Sequence, residues 1–294
     1  MNDKIEKKQV SIVIPAFNEE KGITASLAKL LEVMKATDIE FEVIVVDDGS
    51  KDKTAEIVAK LDPAEINVIL QETNRGYGAA LKAGIEQTKF DLIAITDADG
   101  TYPSDRLPEL IRLMGDYDMV VGARVGGNVQ IPLLRRLPKM ILNKYANYLV
   151  KYEIPDLNSG LRVFRRDIYR KFRNLLPSGF SFTSTITMAM LSNSYRVKYV
   201  PIDYYKREGK SKIKPVRDTI NFFKLVSKIT LYFNPLRIFV PVTSILLLLG
   251  LLLLGYDVFF ADNITDKTVL VLFLGMQFGL IGVLADIIIH QREA

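Results

Sequence analysis

Two carboxylates one residue apart, Asp97 and Asp99, stand in the run F-D-L-I-A-I-T-D-A-D-G-T-Y-P-S-D from Phe90 to Asp105. Leu92 to Thr96 has the length and β-branched content of a buried parallel strand, so the acids fall at its carboxyl end. That is the end at which open α/β sheets bind ligands. Gly100 and Pro103 mark a turn straight afterwards, and over an extended D-A-D both side chains can converge on one hard cation. Magnesium or manganese suits two carboxylates with several open positions, because magnesium keeps waters and takes few protein ligands; such an ion can hold a diphosphate. A polar strand-to-loop turn would show the same residues, and the rest of the chain must decide between the two.

Other chemistries are removed by what is missing. There is no cysteine, hence no disulfide, thiolate metal site or cysteine nucleophile, and the single histidine, His290, lies beyond the last apolar run. Histidine acid/base catalysis and His-rich zinc sites are thereby excluded from the rest of the chain, leaving carboxylates, hydroxyls and basic residues.

The elements that would position the acids alternate regularly. Strands are expected at Val10–Pro15, Phe41–Val46, Asn67–Leu70, Leu92–Thr96, Met119–Gly122 and Val197–Pro201, with helices over about 20–35, 54–61 and from Asn74 through Gln87. That alternation predicts an α/β fold with a parallel doubly wound sheet and right-handed crossovers. Gly76-Tyr77-Gly78 follows the third strand and lacks the third glycine of a dinucleotide fingerprint, and Gly209-Lys210-Ser211 has Tyr204 where a phosphate loop needs glycine. Between Arg124 and Tyr152 there are six basic residues and no acid. Leu133, Leu137, Tyr145, Tyr148 and Tyr152 recur there at helical spacing, which reads as a basic amphipathic helix lying on a membrane surface in preference to one packed on the sheet.

The chain has 294 residues, 49% of them hydrophobic, and the apolar content is concentrated late. Ile238–Tyr256 is 19 residues without a formal charge and Thr268–Ala285 another 18, each long enough to span a bilayer. Net charge is +5, yet Lys206 to Arg237 alone holds nine basic residues against two acids. A basic block just before an apolar span reads as a membrane-surface or anionic-ligand feature, not a nucleic-acid footprint. Three domains follow: a catalytic head over 1–214, juxtamembrane amphipathic helices over 215–235 and a transmembrane hairpin over 236–294. The charged N-terminus shows no secretory signal, and the linker Asp257–Lys267 has three acids and one base, so the positive-inside rule puts head and His290 in the cytoplasm of a two-span cell-membrane protein. Gln277 is expected to find a partner in the neighbouring helix and Asp286 to lie at the interface.

S-I-V-I-P-A-F-N-E-E, V-V-D-D-G-S, N-R-G-Y-G, D-A-D-G, V-G-A-R, N-S-G-L-R-V-F and R-E-G-K-S-K occur in that order over about residues 10–215. Together they resemble the family-two glycosyltransferases of the dolichyl-phosphate mannosyltransferase and polyprenyl-phosphate glucosyltransferase type. The resemblance implies a nucleotide-sugar-binding, Rossmann-like glycosyltransferase A-type domain followed by interfacial helices and the two-helix hairpin. It makes Pro15, Phe17, Glu19, Val46 and Asp48 the pocket for base and ribose. Asp97, Ala98 and Asp99 become the element for the donor diphosphate, with Asp97 and Asp99 holding Mg2+ or Mn2+. Arg124 corresponds to an arginine that meets the acceptor phosphate, Arg135 or Arg136 to a second one, and Arg207 with Lys212 to a basic loop over the donor. Two departures stand out. Thr101 replaces a glutamine that some relatives have after the second acid, and Phe182-Thr183-Ser184-Thr185 carries no carboxylate where some relatives have one.

The expectation is a metal-dependent hexosyltransferase that moves a hexose, with inversion, from a UDP- or GDP-linked sugar to a dolichyl or undecaprenyl phosphate. A phosphate acceptor with a second pKa of about 6 is already largely ionised at neutral pH, so no strong side-chain base is expected. Partners are the nucleotide sugar, the lipid phosphate and the bilayer, with no nucleic acid and a homo-oligomer left open. A non-catalytic nucleotide-sugar-binding scaffold and a processive polysaccharide synthase are the alternatives; the synthases carry a tryptophan motif, and this chain has no Trp.

Overall fold

The computed structural model describes residues 8–62, 64–125, 144–179, 181–205, 215–261 and 263–293. Strands β1 (Gln9–Ala16), β2 (Glu40–Asp47), β3 (Ile66–Leu70), β4 (Leu92–Ile95), β5 (Met119–Ala123), β6 (Arg162–Arg165) and β7 (Val197–Pro201) form one sheet in the order β3-β2-β1-β4-β6-β5-β7. All six expected strands are present, shifted by no more than a residue or so. The expectation of a uniformly parallel sheet is corrected. β6 runs antiparallel to both β4 and β5, with Arg162 opposite Ile95 on one side and Val121 on the other. The chain leaves β5 at the sheet's carboxyl edge and re-enters at that same edge through the turn 158–160, which reverses the strand's direction.

Both faces of the sheet are covered, so its central strands read as nearly continuous apolar runs. Ile12 and Ile14 of β1 pack with Leu27, Leu30 and Met34 of α1 (Ile23–Lys35), whose buried residues recur at helical spacing. Val13, on the opposite face, packs with Ala80, Leu81 and Ile85 of α3 (Tyr77–Glu86). Gly84 of α3 lets that helix sit directly on the sheet, since a Cβ there would lie 2.4 Å from Val13 Cγ1. Short helices α2 (Thr54–Val58) and α4 (Leu107–Arg112) follow β2 and β4. The described part of α5 covers 144–150, and α6 (Arg166–Phe172) and α7 (Phe182–Ser192) complete the head.

Over its described turns α5 packs by one face against the head, and its other face, with Lys144 and Tyr148, is exposed. Ala146, Leu149 and Val150 are buried, and the Tyr145 ring meets Phe223 of α8 (Pro215–Phe233) with centroids 5.3 Å apart. The residues 126–143 of that expected helix lie outside the described ones.

α9 (Leu236–Tyr256) continues through a wider turn, Asp257–Ala261, and α10 (Asp266–Glu293) returns beside it. At 1.5 Å per residue α9 is about 32 Å long, the thickness of a bilayer's hydrocarbon. The helices pack through glycines: a Cβ on Gly250 would lie 2.5 Å from Leu272 Cδ2, and one on Gly282 2.6 Å from Phe239 Cβ. Outward faces are apolar, with Ile245, Leu252 and Leu280 each about 65% exposed, so the hairpin is built to be covered by something as apolar as itself. At the tip, Asp257 Oδ2 accepts Thr265 N–H (2.8 Å) and the hydroxyls of Thr265 (2.8 Å) and Thr268 (2.6 Å). Gln277 is exposed on the outward side of α10, contrary to the expectation that it faces α9.

Candidate active site

Strand register brings the chemistry to one edge. Ala16 pairs with Asp47, so β1 and β2 end level, while β4 stops at Ile95 opposite Val13; the residues past these strand ends, Phe17–Glu19, Asp48 and Asp97–Asp99, share that edge. β5 is parallel to β4, which adds Arg124. The reversed β6 adds the turn before it, Asn158-Ser159-Gly160.

On the β1–β2 side the loops are fastened to each other mainly through backbone N–H groups. Asn18, at φ +56°, donates its N–H to Ser50 Oγ (2.9 Å) and accepts Lys51 N–H on Oδ1 (2.8 Å); Glu19 N–H donates to Thr54 Oγ1 (2.8 Å). Asp52 Oδ1 accepts the N–H of Thr54 (3.0 Å) and its hydroxyl (2.5 Å). Burial alone would raise the pKa of Asp52, and the hydrogen bonds from Thr54 and Glu20 outweigh it, holding the carboxyl below its ordinary range. Phe17 and Glu19 are half-buried on this loop. Pro15 and Val46 are buried beneath it, Val46 against Gly84. Asp48 is buried, and its two oxygens accept Arg75 N–H (2.8 Å) and Gly76 N–H (2.9 Å). It shapes the N-R-G-Y-G loop. In that loop Gly76 takes φ +101°, and a Cβ on Gly78 would lie 2.2 Å from Pro177 O, so both glycines are demanded by packing.

Each central acid has a dedicated donor. Thr101, fully buried, gives Asp99 Oδ1 its N–H (3.1 Å) and its hydroxyl (2.6 Å), which orients the acid. Tyr77 donates its O–H to Asp97 Oδ1 at 3.1 Å. Burial first, then the neighbouring Asp97, holds the Tyr77 phenol well above its ordinary pKa, so the donor keeps its proton. Gly160 backs onto the Asp97 carboxylate: a Cβ there would lie 3.0 Å from both of its oxygens. Ala98, between the acids, is buried. This donor set fits a divalent cation. Asp97 and Asp99 supply hard oxygens, held by Tyr77 and Thr101. Among the described residues no cluster of three or more His, Cys, Asp or Glu forms, so the remaining positions on an ion would fall to water and diphosphate.

On the β5–β6 side, charge meets charge. Arg124 forks onto Asp156, Nε to Oδ2 at 2.7 Å and Nη2 to Oδ1 at 2.9 Å, while its backbone N–H also donates to Oδ2 at 3.0 Å. The guanidinium lies 5.1 Å from the centre of the Tyr204 ring, which meets Tyr102 edge-on. Burial works against its charge, and Tyr102, Asp156 and Tyr204 outweigh that, holding Arg124 above the usual arginine range. Tyr102 OH in turn accepts Gly160 N–H at 2.6 Å. Behind the turn, fully buried Arg162 donates from Nε to Ser159 O (3.1 Å) and from Nη1 to Thr183 O (2.8 Å) and Thr187 Oγ1 (2.9 Å). Burial pulls its pKa down, and these carbonyl and hydroxyl acceptors stabilise the cation in place of a carboxylate contact. Ser184 Oγ donates to Asn158 Oδ1, joining α7 to the same turn.

The structure therefore brings Asp48, Asp97, Asp99 and Arg124 to one edge, with Pro15 and Val46 buried at the ends of the strands beneath it. Arg135, Arg136, Arg207 and Lys212 lie outside the described residues. Sequence reading missed Tyr77, Tyr102, Asp156, Gly160 and Arg162. Tyr77, Tyr102, Gly160 and Arg162 lie inside quoted stretches, but nothing in the spacing told which atoms they meet.

Residues 11–173 match the glycosyl transferase family 2 model and residues 234–290 the GtrB C-terminal hairpin. The chain is 32% identical over 71% of its length to a low-salt glycan biosynthesis hexosyltransferase of Haloferax volcanii, and spans only about half (51%) of that relative. It is 30% identical to the dolichyl-phosphate hexose transferase of the same organism, over 76% of this chain and 94% of the relative. Similarity to the undecaprenyl-phosphate 4-deoxy-4-formamido-L-arabinose transferase of Pectobacterium atrosepticum is 30% identity over 96% of this chain and 88% of the relative. Among solved structures, Mycobacterium tuberculosis glucosyl-3-phosphoglycerate synthase, crystallised with Mn2+, UDP and phosphoglyceric acid, shares the fold with a TM-score of 0.59 at 18% identity, over 76% of this chain and 78% of that one. The motif order, the paired acids at the strand edge and these matches agree, and the chain belongs to glycosyl transferase family 2.

Proposed function

We propose that this protein transfers a hexose from a nucleotide-diphosphate sugar to a polyprenyl phosphate, with inversion, at the cytoplasmic face of a membrane in which α9 and α10 are embedded. The observation that carries this reading is the meeting of Asp97 and Asp99 with the Arg124–Asp156 pair at one sheet edge, in a chain that ends in an outwardly apolar hairpin. Relatives named for dolichyl- and undecaprenyl-phosphate transfer support the acceptor class.

In this reading Asp97 and Asp99 hold Mg2+ or Mn2+. The ion, when bound, neutralises the charge that develops on the leaving diphosphate. Phe17, Glu19 and the loop shaped by Asp48 receive the nucleotide. The fork to Asp156 takes Nε and one Nη2 hydrogen of Arg124, and turns the rest of the guanidinium toward an acceptor phosphate. Because the pair carries no net charge, it aims the phosphate more than it attracts it. The attraction falls to Arg135 or Arg136, while Arg207 and Lys212 belong to the basic loop over the donor. No side chain need remove a proton, since the lipid phosphate arrives ionised, and alignment of the two substrates supplies much of the rate.

The test is full-length protein in detergent, given UDP- and GDP-linked hexoses with a polyprenyl phosphate, with and without EDTA. Lipid-linked sugar is expected with one donor class and none in EDTA, and turnover should fall below about pH 6 as the acceptor gains its second proton. Nucleotide-sugar binding without transfer to any lipid phosphate would leave the scaffold reading standing instead.

A further inference from the structure

The hydroxyl of Tyr77 reaches Asp97 Oδ1 from twenty residues earlier in the chain, and no step of the proposed reaction uses it. Its placement is fixed from both sides. The two residues before it hang by their N–H groups from the Asp48 carboxylate, and Gly78 after it is pressed against the backbone of Pro177–Gly179. A phenol on such a mount cannot follow a moving carboxylate, so the carboxylate must settle on the phenol. On the other side of Asp97, Gly160 comes so close that a Cβ there would press on both carboxylate oxygens at 3.0 Å, and Gly160 is itself held through its N–H by Tyr102.

We propose that Tyr77 is a positioning residue for the cation site: its O–H fixes the orientation of the Asp97 carboxylate, and through it the N-R-G-Y-G loop is tied to the ion. This rests on the reading of Asp97 as a cation ligand. A carboxylate that is held by a fixed donor on one oxygen loses less freedom on meeting the ion, and outer-shell partners of this kind typically change metal affinity about 10- to 100-fold.

The experiment is Tyr77→Phe, which keeps the ring and its packing, in the full chain in detergent. Mn2+ binding is read by the EPR signal of free Mn2+, in separate arms with UDP and with GDP, beside the melting temperature and turnover against Mn2+ concentration. Mn2+ affinity should fall by about tenfold or more, turnover should recover at saturating Mn2+, and binding of the nucleoside diphosphate without metal should not change. Unchanged Mn2+ affinity would overturn the inference, whether or not the melting temperature falls. So would a loss of metal-free nucleotide binding as large as the loss of Mn2+ binding, because the tyrosine would then support the loop and not the acid. An Asp97→Asn arm separates this from the reading beneath it. If Asp97→Asn binds Mn2+ as the wild type does, the ligand assignment itself falls; if it binds Mn2+ weakly and adding Tyr77→Phe weakens it no further, Tyr77 acts through Asp97.

Discussion

The two halves of the proposed site are held by different kinds of bond. On the nucleotide side, Asp48 and Asp52 spend their oxygens mostly on backbone N–H groups of the loops around them, and Asn18 and Glu19 are bonded across to the β2 loop. On the acceptor side, half-buried Arg124 and fully buried Asp156 hold each other, and Arg162 is stabilised by carbonyls and one hydroxyl. Backbone donors cannot be mutated away and tolerate the loss of one side chain among many. A buried charge pair has no such reserve, since removing one partner leaves the other desolvated and unmatched. The acceptor half should therefore be the more fragile, and each substitution below separates the two.

The largest effect is expected where the halves share an element. Asp99→Asn leaves Thr101 in place but removes a charged ligand, and transfer should fall by roughly 10²- to 10³-fold, equivalent to several kcal/mol of lost charge stabilisation. Circular dichroism should show the fold intact, and undiminished turnover in EDTA would falsify the metal assignment.

Next comes the acceptor pair. Asp156→Asn strips Arg124 of its counter-charge and should cost about 3 kcal/mol of stability, read by denaturant unfolding, while raising the KM for lipid phosphate about tenfold and sparing donor binding. Arg124→Lys should retain part of the acceptor use, because an ammonium cannot make the fork. If Asp156→Asn instead stops chemistry with both substrates bound normally, Asp156 takes the proton and the base-free mechanism is wrong.

Smaller effects test the scaffolds one bond at a time. Thr187→Val removes one acceptor of Arg162 and should cost about 1 kcal/mol, with no change in nucleotide affinity by calorimetry. On the nucleotide side the matching probe is pH. The Asp52 pKa lies below its ordinary 3.8, so its ionised form contributes stability above that value, and the contribution is lost as pH falls through the folded pKa. Asp52→Asn should flatten the decline of the melting temperature below about pH 4, and an unaltered acid limb would show that the loops are not held this way.

Much of this could be read from order and period. Short β-branched runs alternating with helical spacing placed six strands within a residue or so, because a strand buried on both faces must be apolar along its whole length. Two uncharged runs of 19 and 18 residues marked α9 and α10 for the same reason, with the bilayer in place of a core. The position of Asp97 and Asp99 at a strand end was legible too. Strand direction was not: four residues, Arg162–Arg165, carry no mark of whether they run up or down, and their reversal follows from where the chain re-enters the sheet.

What the sequence determined by itself was the local and periodic part of the protein: the alternating elements, the two long apolar helices, the paired acids and the list of chemistries its missing cysteine and scarce histidine exclude. Tertiary structure alone decided which side chains meet. Tyr77 finds Asp97 across 20 residues, Arg124 finds Asp156 across 32, and Gly160 finds Tyr102 across 58. It also buried Val46 and Pro15 and fastened Asp48 to the N-R-G-Y-G loop. The physical reason is that hydrophobic patterning is additive along a chain, whereas the geometry of a hydrogen bond or ion pair depends on tenths of an ångström set by the packing of every element beneath it.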